Sequence, residues 1–211
     1  MKRIITIGRE FGSGGRELGR RISEKLQIAY YDQEIITEIA KRTSTSEDYV
    51  RHVTESKPIV SFPIHVRQSF YAGTNAMYER SMEVYAEQHK LLKELSDKSD
   101  CVIVGRCADY ILRDKKPLRI FVYADAESKI KRCIERKSGD EELTEAQMKK
   151  AMADIDRNRA KYYEFFSGQK WGAKENYDLM VNTSNVDIKK LADAFATYLQ
   201  NAMAQDAVDA G

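Results

Sequence analysis

The sequence predicts an α/β domain of three layers, a parallel sheet covered by helices on both faces. Two observations carry that expectation. Compact apolar runs of strand length, at residues 4–7, 101–105 (CVIVG), 118–124 (LRIFVYA) and 177–183 (YDLMVNT), are each followed by a segment with helical spacing. Such alternation is how a buried parallel sheet reads, because each crossover helix must cover a sheet face. The chain has 211 residues, 42% hydrophobic and 32% charged, which suits one globular domain with a substantial core.

Taken in order, residues 4–7 form the first strand, and Leu18, Ile22 and Leu26 after it lie on one helical face. Residues 29–31 are a short second strand, followed by a helix through Ile35, Ile36 and Ile39. Residues 43–73 hold Pro58, Pro63 and several turn residues, so short helices and loops are expected there. Thr74 is a candidate cap for a long helix with the stripe Met77, Ser81, Val84, Tyr85, Gln88, Leu91, Leu92 and Leu95, interrupted by two polar positions. Pro117 opens the strand at 118–124. Thr144 and Gln147 make a capping box for a helix through Ile155 and Tyr162. A closing helix spans 187–201, and the tail AQDAVDAG is expected to fray.

Composition excludes several functions. A net charge of +2 is too small for a surface that coats nucleic acid. Cys101, Cys107 and Cys133 lack metal-ligand spacing and His52, His65 and His89 are scattered, so a zinc site is not expected. The cysteine usage suits a reducing compartment, and no apolar run reaches membrane-spanning length. The expectation is a cytoplasmic protein with no membrane or nucleic-acid partner.

The first strand runs into REFGSGGREL. Gly12, Gly14 and Gly15 let the backbone wrap an anion, and the helix starting near Arg16 adds its positive dipole end. The plain alternative is a tight strand-to-helix turn that needs glycine. The pattern G-x-x-x-x-G-K-[ST] of phosphate-binding loops is incomplete. Gly15 stands where lysine belongs, Arg16 follows one residue late, and Glu17 lies near the usual magnesium-binding hydroxyl. Ser13 offers a hydroxyl to a metal, directly or through water. Glu17 either helps hold Mg²⁺ or turns outward. Gly105 and Arg106 end a core strand, where an arginine reaches a bound phosphate. DIDRNRAKYY carries Asp154, Asp156, Arg157 and Arg159. Its arginines, two apart, lie on different helix faces and suit either a closing lid or a solvated ion-paired helix.

Together these stretches make the chain resemble the cytidylate kinase-like family of P-loop proteins. The similarity lies in ITIGREFGSGGREL, YYDQEII, VGRCADYIL with LRIFVYADAESKIKR, DRNRA and YDLMVNTSNVD. The resemblance implies a P-loop NTPase fold of five parallel strands in the order 2-3-1-4-5. It divides the single domain, residues 1–211, into a core with a helical acceptor-binding insert near 33–98 and a lid near 139–172. It also implies transfer of the γ-phosphoryl of ATP, with Mg²⁺, to a pyrimidine monophosphate such as CMP.

By position, Gly12, Ser13, Gly14, Gly15 and Arg16 would hold the donor phosphates, with Glu17 beside them. Asp32 would contact the acceptor nucleoside and Arg106 its phosphate, with Arg67 and Tyr71 as further acceptor-side candidates. Arg16, Arg157 and Arg159 would stabilise the transferring charge, and Ser13 and Glu17 are the metal candidates. The chain departs from cytidylate kinases proper at Gly15 and at Cys107, where they carry lysine and aspartate. The partners implied are a nucleotide and a small acceptor, with a homo-oligomer left open. Two other readings stand beside the kinase. One is a nucleotide- or phosphate-binding regulatory protein with this fold and no efficient turnover. The other is a scaffold that presents the long helix after Thr74.

Overall fold

The computed structural model describes residues 2–55, 71–135 and 144–209, with the backbone alone for residues 55, 71–77 and 202–209. In chain order the elements are β1 (Ile4–Arg9), α1 (Gly15–Leu26), β2 (Ala29–Tyr31), α2 (Glu34–Arg42), α3 (Glu47–Glu55), α4 (Tyr71–Lys98), β3 (Cys101–Val104), α5 (Ala108–Ile111), β4 (Leu118–Tyr123), α6 (Ala126–Glu135), α7 (Glu145–Ser167), β5 (Leu179–Asn182) and α8 (Ile188–Asp209). Among the described residues the sheet has five strands in the order β2-β3-β1-β4-β5, every neighbouring pair parallel. This is the expected architecture.

Strand alternation divides the core. Cys101 and Ile103 pack under the helices α2, α3, α4 and α5, with Ile36, Val50, Leu92 and Ile111. Val102 and Val104 face the other side, with Ile7, Leu18 and Ile22, and α8 closes that layer through Ile188, Ala192 and Leu199. Successive strand side chains point to opposite faces, so a strand buried on both sides must be apolar at every position. β3, CVIV, is buried throughout for that reason.

Local signals place the element ends. Ser46 Oγ accepts from the Tyr49 amide at 3.1 Å, capping α3. The capping box at Thr144 forms, with Thr144 Oγ1 accepting from the Gln147 amide at 3.3 Å and the Gln147 side chain accepting from the Thr144 amide at 2.8 Å. Two helices outrun their expected ends. α4 starts at Tyr71, leaving Thr74 inside its first turn. α8 continues to Asp209 through the expected tail, whose alanines favour helix and whose sequence holds no proline to stop it. No helix among the described residues is long and apolar enough to cross a membrane.

One polar position on α4 has a structural task. Gln88 is fully buried, and its Nε2 donates to the Arg106 carbonyl at 2.9 Å. Arg106 sits in the left-handed region at φ 61°, so its carbonyl faces α4 and not a strand neighbour. Replacing Gln88 by leucine keeps the bulk and leaves that carbonyl buried without its donor. Gln88→Leu should therefore destabilise the protein by about 1–3 kcal/mol in a denaturant titration.

Candidate functional site

The loop between β1 and α1 is fixed from three directions. Glu10 N donates to Val122 O at 3.0 Å, extending the sheet by one bond. The Phe11 amide donates to Asp156 Oδ1 of α7 at 2.7 Å. Thr183 Oγ1, just after β5, donates to the Ser13 carbonyl at 2.6 Å. Gly12 and Gly14 take φ values of 74° and 82°, which side-chain-bearing residues rarely adopt. A Cβ on Gly14 would also meet Ile188 Cδ1 at 2.8 Å. Gly14 caps α1 with no side-chain hydrogen bond to the first turn. The leading N–H groups of a 12-residue helix therefore face the loop's concavity, as anion sites at helix ends require.

This cradle opens into a cleft of about 570 Å³, a size that suits a nucleotide-scale ligand. One wall is the loop. Cys133 of α6 and Met148, Met152 and Ile155 of α7 form an apolar wall, and Arg9, Arg16, Arg51, Arg132 and Arg159 supply positive charge. Behind it, at the carboxyl ends of β1 and β3, lies a small cavity of about 40 Å³ bordered by Gly8, Thr54, Arg106, Asp109 and Tyr163. Arg9 and Arg159 line both spaces.

The arginines face a matching set of carboxylates. Asp156 is held by Lys129 at 3.7 Å and Arg159 at 3.4 Å, while Lys129 also pairs with Glu10 at 3.0 Å. Burial raises the Asp156 pKa, against the pull of the Phe11 amide and these cations. Arg132 donates to the Thr183 and Val186 carbonyls, tying α6 to the strand that supports Ser13.

The expected site residues divide clearly. Gly12, Gly14, Gly15, Arg16 and Arg159 meet at the cleft. Ser13 is fully buried and its hydroxyl donates to Glu10 O at 2.8 Å. Glu17 pairs with Arg21 at 2.8 Å, one turn along α1. Asp32 is buried and binds Arg16 Nε at 2.5 Å, with Arg9 Nη2 at 4.0 Å, so donor-side and acceptor-side candidates are joined in one ion pair. Arg106 is buried and donates to Thr54 Oγ1 at 2.6 Å. Arg157 lies apart, 58% exposed and paired with Asp154 at 2.7 Å. Arg67 lies outside the described residues, and Tyr71 is placed only as the first backbone position of α4. Among the described residues no three acidic, cysteine or histidine side chains gather as a metal site.

Arg9, Lys129, Arg132 and Asp109 were not legible as site residues. Lys129 and Arg132 stand three apart on α6 and so share a face, a signal that only a known neighbour makes specific. Asp109 lies two residues beyond Cys107, whose thiol burial raises well above its ordinary range. The Asp109 carboxylate accepts from the Tyr163 hydroxyl at 2.6 Å. A buried carboxylate therefore does stand in this region, displaced to the first turn of α5.

Comparison with known proteins agrees with this fold. The cytidylate kinase-like family model matches residues 4–185. An uncharacterized protein from Eubacterium ventriosum ATCC 27560 is similar over 94% of this chain and 99% of its own, at 27% identity and a TM-score of 0.66. A shikimate kinase from Bacteroides thetaiotaomicron superposes at a TM-score of 0.56 with 13% identity, covering 96% of this chain and 98% of that one. A shikimate kinase from Acinetobacter baumannii in complex with shikimate gives 0.52 and 14%, over 96% and 94%. At such identities the likeness is one of fold, the P-loop NTPase fold. No curated protein matches the sequence.

Asp109 provides a pH test of the inner cavity. Burial raises its pKa above the ordinary 3.8, opposed by the Tyr163 hydroxyl. A raised carboxyl pKa stabilises the fold fully below the ordinary value, and that contribution is lost as pH rises through the folded pKa. Asp109→Asn stays neutral throughout. As pH rises above about 4 the wild type should lose stability relative to Asp109→Asn, read from thermal melts of both proteins. Parallel curves would show that Asp109 titrates as it does unfolded.

Proposed function

Because the chain belongs to the cytidylate kinase-like family, we propose that it transfers the γ-phosphoryl group of Mg·ATP to a small acceptor, a nucleoside monophosphate such as CMP. The observation that carries this is the glycine cradle at the foot of an arginine-lined cleft, with Arg9 and Arg159 between it and the inner cavity.

The chain's own residues divide the work. Amides of residues 12–16 and the N-terminus of α1 hold the donor phosphates, as the open concavity with no side-chain cap supports. Mg²⁺ would arrive with the nucleotide and supply charge neutralisation for those phosphates, and the Ser13 hydroxyl would have to leave the Glu10 carbonyl to contribute to holding it. The apolar wall from Cys133 to Ile155 seats the base and excludes water. Asp32, shared by Arg16 and Arg9, orients cations toward the acceptor, and Arg106 takes the acceptor's anionic group. The acceptor segment at 33–98 and the lid at 139–172 are the proposed assignment, with α7 the one α-helix among the lid's described residues. Little covalent chemistry is asked of the protein, since phosphoryl transfer depends on positioning and charge stabilisation.

Gly15 at the lysine position supports the other reading, a nucleotide-binding regulator without turnover. An ADP-release assay over CMP, UMP, other nucleoside monophosphates and shikimate separates the two. Release stimulated by one acceptor supports the kinase, and nucleotide binding with no stimulated release by any acceptor supports the regulator.

The two α7 arginines should behave differently. Arg159 is 13% exposed at the junction of the two spaces, whereas Arg157 faces solvent. Arg159→Ala should lower turnover by roughly a thousandfold, the scale of a lost charge-stabilising arginine. Arg157→Ala should lower it less than about tenfold and shift stability by under about 1 kcal/mol. Steady-state rates on proteins with matched melting curves check both.

A further inference from the structure

We propose that Arg9, at the end of β1, is the buried cation that grips the transferring phosphate, in the place where phosphate loops of this kind carry lysine. The inference rests on the kinase reading and adds a residue to it. Two glycines make the room. A Cβ on Gly15, the lysine position, would lie 2.6 Å from Arg9 Cβ and 3.2 Å from Val122 Cβ. Any side chain there excludes Arg9 from its present place. On the other flank, a Cβ on Gly105 would lie 1.6 Å from Arg9 Nη1 and 2.7 Å from its Cζ. The guanidinium thus occupies the volume a β3-end side chain would fill, and Gly105 adopts φ +71° beside it.

The arginine is also placed for the chemistry. Its side chain is 10% exposed, yet it borders both the outer cleft and the inner cavity. A phosphoryl group passing between a donor in the cleft and an acceptor at the strand ends would lie against it. Guanidinium keeps its charge at every relevant pH and binds phosphate oxygens in pairs. Arg16, the nearest cation in sequence, is half exposed and bound to Asp32 at 2.5 Å, whereas Arg9 stands 4.0 Å from the same carboxylate. The buried charge comes from the strand end and the mouth charge from the helix. The competing account makes Arg9 a core partner of Asp32 that matters for folding alone.

Isothermal titration of the full chain with Mg·ADP and a non-hydrolysable Mg·ATP analogue decides between these accounts. Arg9→Met, which keeps the stem and removes the charge, should weaken both ligands at least tenfold. The double variant Arg9→Gly with Gly15→Lys should bind at least severalfold tighter than Arg9→Gly alone, because with the Cβ at position 9 gone the lysine has both the space and the task. Gly15→Lys alone should bind worse than wild type, since both side chains claim one volume. Wild-type affinity in Arg9→Met would overturn the proposal. So would a folded double variant that binds no better than Arg9→Gly.

Gly15→Ala gives a second measurement should Arg9→Met fail to fold. It retains Arg9 but displaces its Cβ, so nucleotide affinity should fall several-fold, and unchanged affinity overturns the proposal. A wild type that binds neither ligand at millimolar concentration would bring down the kinase reading as well. Wild-type binding with an indifferent Arg9 brings down this inference alone.

Discussion

The hydrogen bond from the Phe11 amide to Asp156 joins the parts of the site. It runs 2.7 Å from the glycine loop to the middle of α7, across 145 residues of sequence. The same carboxylate collects Lys129 from α6 and Arg159 from α7. One part-buried carboxylate therefore links the loop's shape, the position of α7 and the direction of Arg159. A backbone amide left buried without a partner is costly, so the loop is anchored by necessity as well as by charge.

Among the described residues, three carboxylates at the cleft are shared by four cations. Asp32 serves Arg16 and approaches Arg9, Asp156 serves Lys129 and Arg159, and Glu10 serves Lys129 again. Shared carboxylates hold several guanidinium and ammonium groups near one another. Buried ion pairs contribute little net stability, because desolvation offsets their attraction. These pairs fix where charge sits at the cleft more than they stabilise the fold.

The fold was legible because its signals are local. The apolar run CVIVG can only be comfortable buried on two faces, and Thr144 with Gln147 caps a helix whatever lies around it. The glycine loop was legible for a similar reason: three glycines after a strand require an unusual backbone. Gln88 read only as an interruption in the apolar stripe of α4. It has a role because the Arg106 carbonyl, 18 residues on, turns toward it.

By itself, the sequence determined the layered architecture, the phosphate-loop position and the presence of arginines late in the chain, because each is written in neighbouring residues. Which arginine enters the cleft was a tertiary decision. Arg157 and Arg159 have the same chemistry two residues apart, and only the packing of α7 on the loop turns one inward and the other to solvent. Arg9 follows the same logic, since its place depends on two missing side chains, at Gly15 and Gly105, brought together by parallel strand pairing. Charge in a protein acts through distance, and distance between remote residues is set by the fold.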